Sequence, residues 1–151
     1  MLDGTARPEP ERFIIAARLE AAGERHKYLL VRWRDWPPPA LLSVEVPPTP
    51  GVSAAVVEET IAYRLGVRCL EGALLGEART PARMRQGNRG GEGMGWLRAA
   101  AVRVEGEPAP DALLEEVLAL SFDDALSALT SDVERHVFLE AARLLGDAPS
   151  R

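Results

Sequence analysis

Glu58, Glu59, Thr60, Tyr63 and Arg64 lie together in the stretch SAAVVEETIAYRL, from Ser53 to Leu65, and include groups able to hold a cation or accept a proton. Paired carboxylates are the hard oxygen donors that a divalent ion prefers, and such an ion stabilises charge on a departing phosphate. Neighbouring helical positions point about 100° apart, so Glu58 and Glu59 need a third acid from Glu77, Glu115 or Glu116. The competing reading is a solvated helix face. A second group is basic: Arg79, Arg83, Arg85 and Arg89 belong to or adjoin TPARMRQGNRGGEGMG. Glycine lets backbone N–H groups approach an anion and arginine supplies forked donors, so this segment suits a phosphate or carboxylate, or else an exposed loop. GNRGGEG lacks the Gly-Lys-Ser/Thr ending and following helix of a phosphate loop. Trp36 and Trp96 are able to stack on a base or to pack at the rim of a core. His26 and His136 stand apart from any serine or cysteine context, and no nucleophilic triad is visible.

The elements that must position these groups follow from spacing. Ala54, Val57, Ile61, Ala62 and Leu65 share one stripe of a helix, with Ser53 as its N-terminal cap and Gly66 closing its C-terminus. Phe13 to Leu19 and Lys27 to Arg34 read as two antiparallel strands. The prolines of DWPPP predict an irregular surface connection, followed by a short strand over Leu41 to Val46. Cys69 to Ala78 reads as a strand interrupted by glycines, Thr80 to Gly95 as a flexible loop, and Trp96 to Val104 and Glu116 to Leu120 as strands. Ser121 with Asp124, and Ser131 with Glu134, have capping-box spacing, so helices are expected over Phe122 to Leu129 and Asp132 to Leu145. On the second of these Val133, Val137, Ala141, Leu144 and Leu145 share a face, with Phe138 at its edge. Strands and helices are mixed without strict alternation, which gives an α+β class.

Composition narrows the function. At 151 residues, 46% of them apolar, the chain suits a single domain over 12–146, with loose tails at 1–11 and 147–151. Its one cysteine, Cys69, is expected as a small core residue, in keeping with a reducing, cytoplasmic setting. No run reaches the length of a membrane helix and the N-terminus lacks signal-peptide order. The net charge of −5 argues against general nucleic-acid binding, so an anion site must be local.

The element order, RLGV after the first long helix, and ALSFDDALSAL near the end together resemble a Nudix domain over roughly residues 12–145. The resemblance implies an α/β/α sandwich with a mixed sheet and about three helices. It also implies a box of spaced residues in which helix glutamates hold magnesium or manganese against a diphosphate. Aligned on Gly66 and Val67, the box keeps only Ile61, Gly66 and Val67. Glu59 stands for its arginine, Thr60 for a glutamate, and Tyr63 and Arg64 for the two metal-binding glutamates. At an effective dielectric of ~20 and a separation of ~4 Å, a guanidinium repels a dication by roughly 8 kcal/mol. The expectation is therefore a Nudix-like domain without metal-dependent hydrolysis and with no cofactor. It would bind a small anionic or nucleotide-like ligand through Trp36, Arg79, Arg83, Arg89 or Trp96, or a protein partner, with a homodimer as a further reading. The alternative is a divergent hydrolase of diphosphate bonds that holds magnesium or manganese on relocated carboxylates, Glu58, Glu59 and Glu116.

Overall fold

The computed structural model describes residues 11–20, 25–46, 51–86 and 91–147. The chain runs through β1 (Glu11–Leu19), β2 (Lys27–Trp33), β3 (Trp36–Ala40), β4 (Leu42–Val46), α1 (Ser53–Leu65), β5 (Arg68–Cys69), β6 (Leu74–Leu75), β7 (Thr80–Gln86), β8 (Gly91–Glu105), β9 (Leu114–Leu120), α2 (Phe122–Ala128) and α3 (Asp132–Leu144). Among the described residues the strands form one mixed sheet in which β1 and β8 run parallel and the other pairings are antiparallel. The class is α+β, an α/β/α sandwich with three helices.

Alternation along the strands explains the layers. Phe13, Ile15 and Ala17 of β1, with Leu29 and Val31 of β2, point to the face covered by α1, where they meet Val57, Ile61 and Leu65. Ile14 and Ala16, with Tyr28 and Leu30, point to the other face and meet Ala125 of α2 and Val137, Phe138, Ala141 and Ala142 of α3. Each fully buried Val, Ile or Leu of α1 contributes roughly 1.5–3 kcal/mol of apolar burial. This is what keeps the helix on the sheet. On the opposite face Tyr28 meets Phe122 and Phe138 edge-on, at ring centroid distances of 6.0 and 5.0 Å.

Several sequence expectations are corrected here. Trp36–Ala40 is a strand rather than an irregular connection, paired with β2 at Val31↔Ala40 and Trp33↔Trp36. Prolines are admitted because an edge strand has one side that needs no N–H donors. The stretch expected as a flexible loop over 80–95 supplies β7 and the start of β8, in register from Thr80↔Leu97 to Gln86↔Gly91. Paired backbone outweighs the freedom of glycine, and residues 87–90 lie outside the described residues. Cys69 to Ala78 holds two short strands in place of one. Ser53 is the first helical residue of α1, and Val52 precedes it with no side-chain cap bond. Ala62 is exposed, at the margin of the α1 stripe. On α3 the buried face is displaced by one residue: Phe138 and Ala142 are buried, whereas Val133 and Leu144 are exposed.

The signals that hold are caps. Ser121 and Ser131 accept hydrogen bonds from the N–H groups of Asp124 and Glu134, and Gly66 closes α1 at φ 68°, a left-handed conformation that favours glycine. The carboxylate of Glu134 does not return to its own cap, however. It accepts from the N–H of Leu41 at 2.9 Å, which ties α3 to the link between β3 and β4.

Buried polar groups are concentrated at the sheet end beyond β1. Arg18, 6% exposed, donates to Glu20 at 2.8 Å and to the Leu145 carbonyl and Asp147 carboxylate at 3.1 Å. Tyr28 also donates to Asp147, and burial together with that carboxylate pushes its phenol up. This network anchors the end of α3 to the sheet.

Burial pushes the Glu134 carboxyl above its ordinary range, and the Leu41 N–H only partly offsets this. The protonated form thus favours the fold: its contribution is full below the ordinary carboxylate range and is lost as pH rises through the raised value. Glu134→Gln keeps an acceptor for Leu41 without the charge. Its melting temperature relative to wild type is expected to improve between pH 4 and pH 7. Glu134→Ala, which leaves the Leu41 N–H unpaired, should cost about 1 kcal/mol in urea unfolding at pH 4 and less at pH 7.

Candidate functional site

The outer face of α1 borders a groove of about 670 Å³, walled on one side by Val56, Glu59, Thr60, Tyr63 and Arg64 and on the other by Trp33 of β2 and Ser43 and Val44 of β4. Helical spacing lines up its α1 wall. Val56, Glu59 and Tyr63 follow each other at three and four residues, and Val56, Thr60 and Arg64 at four and four, so both rows face the groove. Trp33 reaches the groove because its side chain follows Leu29 and Val31 on the α1 side of β2.

Each box residue has a definite role. The Thr60 hydroxyl donates to the Val56 carbonyl one turn back, at 2.8 Å, and so is committed to its own helix. Tyr63 is 75% exposed, with its ring at the groove mouth. The Arg64 guanidinium lies 5.7 Å from the Trp33 ring centroid and 5.5 Å from that of Tyr63, and its Nη1 donates to Asp111 Oδ2 at 2.5 Å. Arg64 is therefore a neutralised, aromatic-flanked cation. Glu59 is exposed and, among the described residues, has no hydrogen-bond or ion-pair partner.

Asp111 belongs to the connection between β8 and β9, which lies across the end of α1. The N–H groups of Ala109 and Asp111 donate to the carbonyls of Leu65 at 2.8 Å and Arg64 at 3.2 Å. These are carbonyls that a helix C-terminus leaves without intrahelical partners. Asp111 also accepts from the Leu113 N–H at 2.9 Å. Burial pushes its carboxyl upward, but the hydrogen bonds from Arg64 and Leu113, with the Arg64 charge, outweigh this and hold it below the usual carboxylate range.

The carboxylates considered for a relocated metal site do not converge. Glu58 Oε2 accepts from the Ala73 N–H at 2.9 Å and fixes the segment before β6. Glu116 pairs with Arg32 at 2.7 Å. It alternates with Val117, which packs on the α1 side, and shares the phase of Leu118 and Leu120, which pack with α2 and α3. The sheet thus separates Glu116 from Glu58 and Glu59. Among the described residues no three His, Cys, Asp or Glu side chains are grouped to hold a metal ion. The donors on α1 do not fit a divalent cation.

The anion-binding candidates are scattered as well. Arg79 pairs with Glu11 at 2.9 Å, and Arg98 joins the same carboxylate at 3.4 Å. The backbone of Arg83 is in β7, its side chain is outside the description, and Arg89 lies outside the described residues. Trp96, near the start of the long β8, is half-buried and does not line the groove. Trp36, 61% exposed, is the direct cross-strand partner of Trp33 and stands beside the groove. Sequence reasoning missed Trp33, Val44, Val56 and Asp111. Trp33 looked like strand core, and Asp111 sat in the turn-prone GEPAPD with no local sign of its partner.

No protein-family model and no curated protein matches the chain. Solved structures do share its fold. A possible asymmetric diadenosine tetraphosphate hydrolase from Jonesia denitrificans superposes with a TM-score of 0.61 at 16% identity, covering 97% of this chain and 100% of that one. The NUDIX domain of Shewanella oneidensis NrtR, solved with ADP ribose, gives 0.60 at 13% identity over 94% and 91% of the two chains. The C-terminal domain of mouse MUTYH, solved with human PCNA, gives 0.52 at 12% identity over 95% and 93%.

The Arg64–Asp111 pair is open to direct test. A depressed carboxyl contributes stability that is full above its ordinary pKa and is lost as pH falls through the lowered value. Asp111→Asn is expected to lose about 1 kcal/mol at pH 7, with the deficit shrinking toward pH 3, in urea unfolding followed by tryptophan fluorescence.

Proposed function

On the Nudix fold that this chain has, we propose a small-molecule binding domain that does not hydrolyse diphosphates with metal help at α1. The observation that carries this reading is the ion pair of Arg64 with Asp111, at the position that the alignment on Gly66 and Val67 gives to a metal-binding glutamate. A cation at that position repels a dication, and the neighbouring Tyr63 and Thr60 add no anionic oxygen. The ligand would enter the groove between α1, Trp33 and Val44, whose volume falls within the range of small-molecule sites.

A nucleotide-like ligand is supported by the NrtR domain, which was solved with ADP ribose. It is also supported by flat aromatic surfaces at Trp33, Trp36 and Tyr63, on which rings stack. Since Arg79 is engaged by Glu11, phosphate recognition through the basic residues gains no support from geometry, and aromatic contact is the stronger basis for binding.

Thermal unfolding with magnesium or manganese separates binder from hydrolase. A ligand selective for the native state raises the melting temperature, so neither ion should shift it if no site is present. Conversion of ADP ribose and diadenosine tetraphosphate to their nucleotide products, followed by chromatography, should stay at background. A metal-dependent rise in melting temperature together with turnover would overturn the reading.

A further inference from the structure

The charge inventory of the groove argues for a particular kind of occupant, an inference that rests on the binding reading above. Arg64, the cation on its α1 wall, is neutralised by Asp111 and already lies against two aromatic rings. Glu59 brings a carboxylate with no partner among the described residues. It stands four residues before Tyr63 on the same helix, so carboxylate and ring occupy one face a single turn apart. Tyr63 is 75% exposed, which leaves ring surface open to a ligand.

An aromatic face beside a carboxylate attracts positive charge twice, through the ring quadrupole and through the anion. It repels phosphate for the same reason. We infer that the α1 groove binds a flat organic cation, seated against Tyr63 and Trp33 and charge-paired with Glu59. The occupant is a ring with delocalised positive charge, either free or as the cationic part of a larger nucleotide-like molecule. The chain's own Arg64 provides the internal precedent, a planar cation flanked by these same two rings.

A matched pair of probes tests this: 1-methylquinolinium, permanently charged, and quinoline, neutral at pH 8. Binding is followed by tryptophan fluorescence and confirmed by calorimetry on the full chain. The cation should bind about tenfold more tightly than quinoline. Glu59→Gln should erase most of that preference while leaving quinoline unchanged, and Tyr63→Ala should weaken both probes. Both side chains are exposed, so melting temperatures near wild type are expected for the two variants. Equal affinity for the two probes, no binding of either at millimolar concentration, displacement of the cation by pyrophosphate, or a cation affinity indifferent to both variants would each overturn the inference. Metal-dependent turnover would instead overturn the binding reading, whatever the quinolinium result.

Discussion

The contact on which the candidate site depends is the pair of Arg64 with Asp111, because it closes the end of α1 and sets the charge of the groove. Two N–H groups of the β8–β9 connection cap the Arg64 and Leu65 carbonyls, and the ion pair holds that connection in place. A helix C-terminus carries partial negative charge, which favours a cation in the last turn by about 0.3–1 kcal/mol and disfavours carboxylates by a similar amount. Glutamates at positions 63 and 64 would therefore oppose the helix dipole and need a bound dication to offset the conflict. Arginine at 64 resolves it without a metal. Arg64 thus strengthens the helix end.

The positions that match the box in the sequence alignment, Ile61, Gly66 and Val67, are those that the fold itself needs. Ile61 is fully buried against the sheet, Gly66 adopts the left-handed conformation that ends α1, and Val67 is buried just beyond it. Each has a packing or backbone reason to persist that is independent of chemistry. Positions 59, 60, 63 and 64 face the groove, where core packing constrains them little.

How far the sequence could be read follows the range of the interactions involved. Helix stripes, serine caps and Gly66 are local, and α1, α2 and α3 were legible together with the main strands. Edges and pairings are not local. The prolines at 37–39 read as a break because nothing within the segment says that β2 supplies its partner, and the glycines of 87–95 mask a hairpin whose register is set along β8. Site residues were legible on α1 alone. Asp111 lies 47 positions from Arg64, and a lone aspartate in a turn carries no mark of a distant guanidinium. Glu116 shows the limit of residue type: a carboxylate considered together with Glu58 and Glu59 lies across the sheet from them, because strand phase, not composition, decides direction.

The groove itself is a product of sheet topology. The chain pairs with β2 over Trp36–Ala40 and with β1 over Leu42–Val46, so one nearly continuous segment changes partner at Leu41. The pairing register of β2 also shifts between Val31 and Trp33, and again between Arg32 and Trp33 on the β9 side. The extra residues lie in β3 and β9, so Trp33 keeps the phase of Leu29 and Val31 while the strands beside it are irregular. Trp33 is left half-buried at the rim, between the core beneath α1 and the exposed Trp36. With only eight aromatic residues in the chain, lining the groove with Trp33 and Tyr63 and leaving Trp36 exposed next to Trp33 forgoes apolar burial of roughly 25 cal/mol for each Å² left in water. Core packing does not require that arrangement, since Tyr28, Phe122 and Phe138 already complete the other face. On the proposed binding reading, a ligand covering these rings would offset that cost.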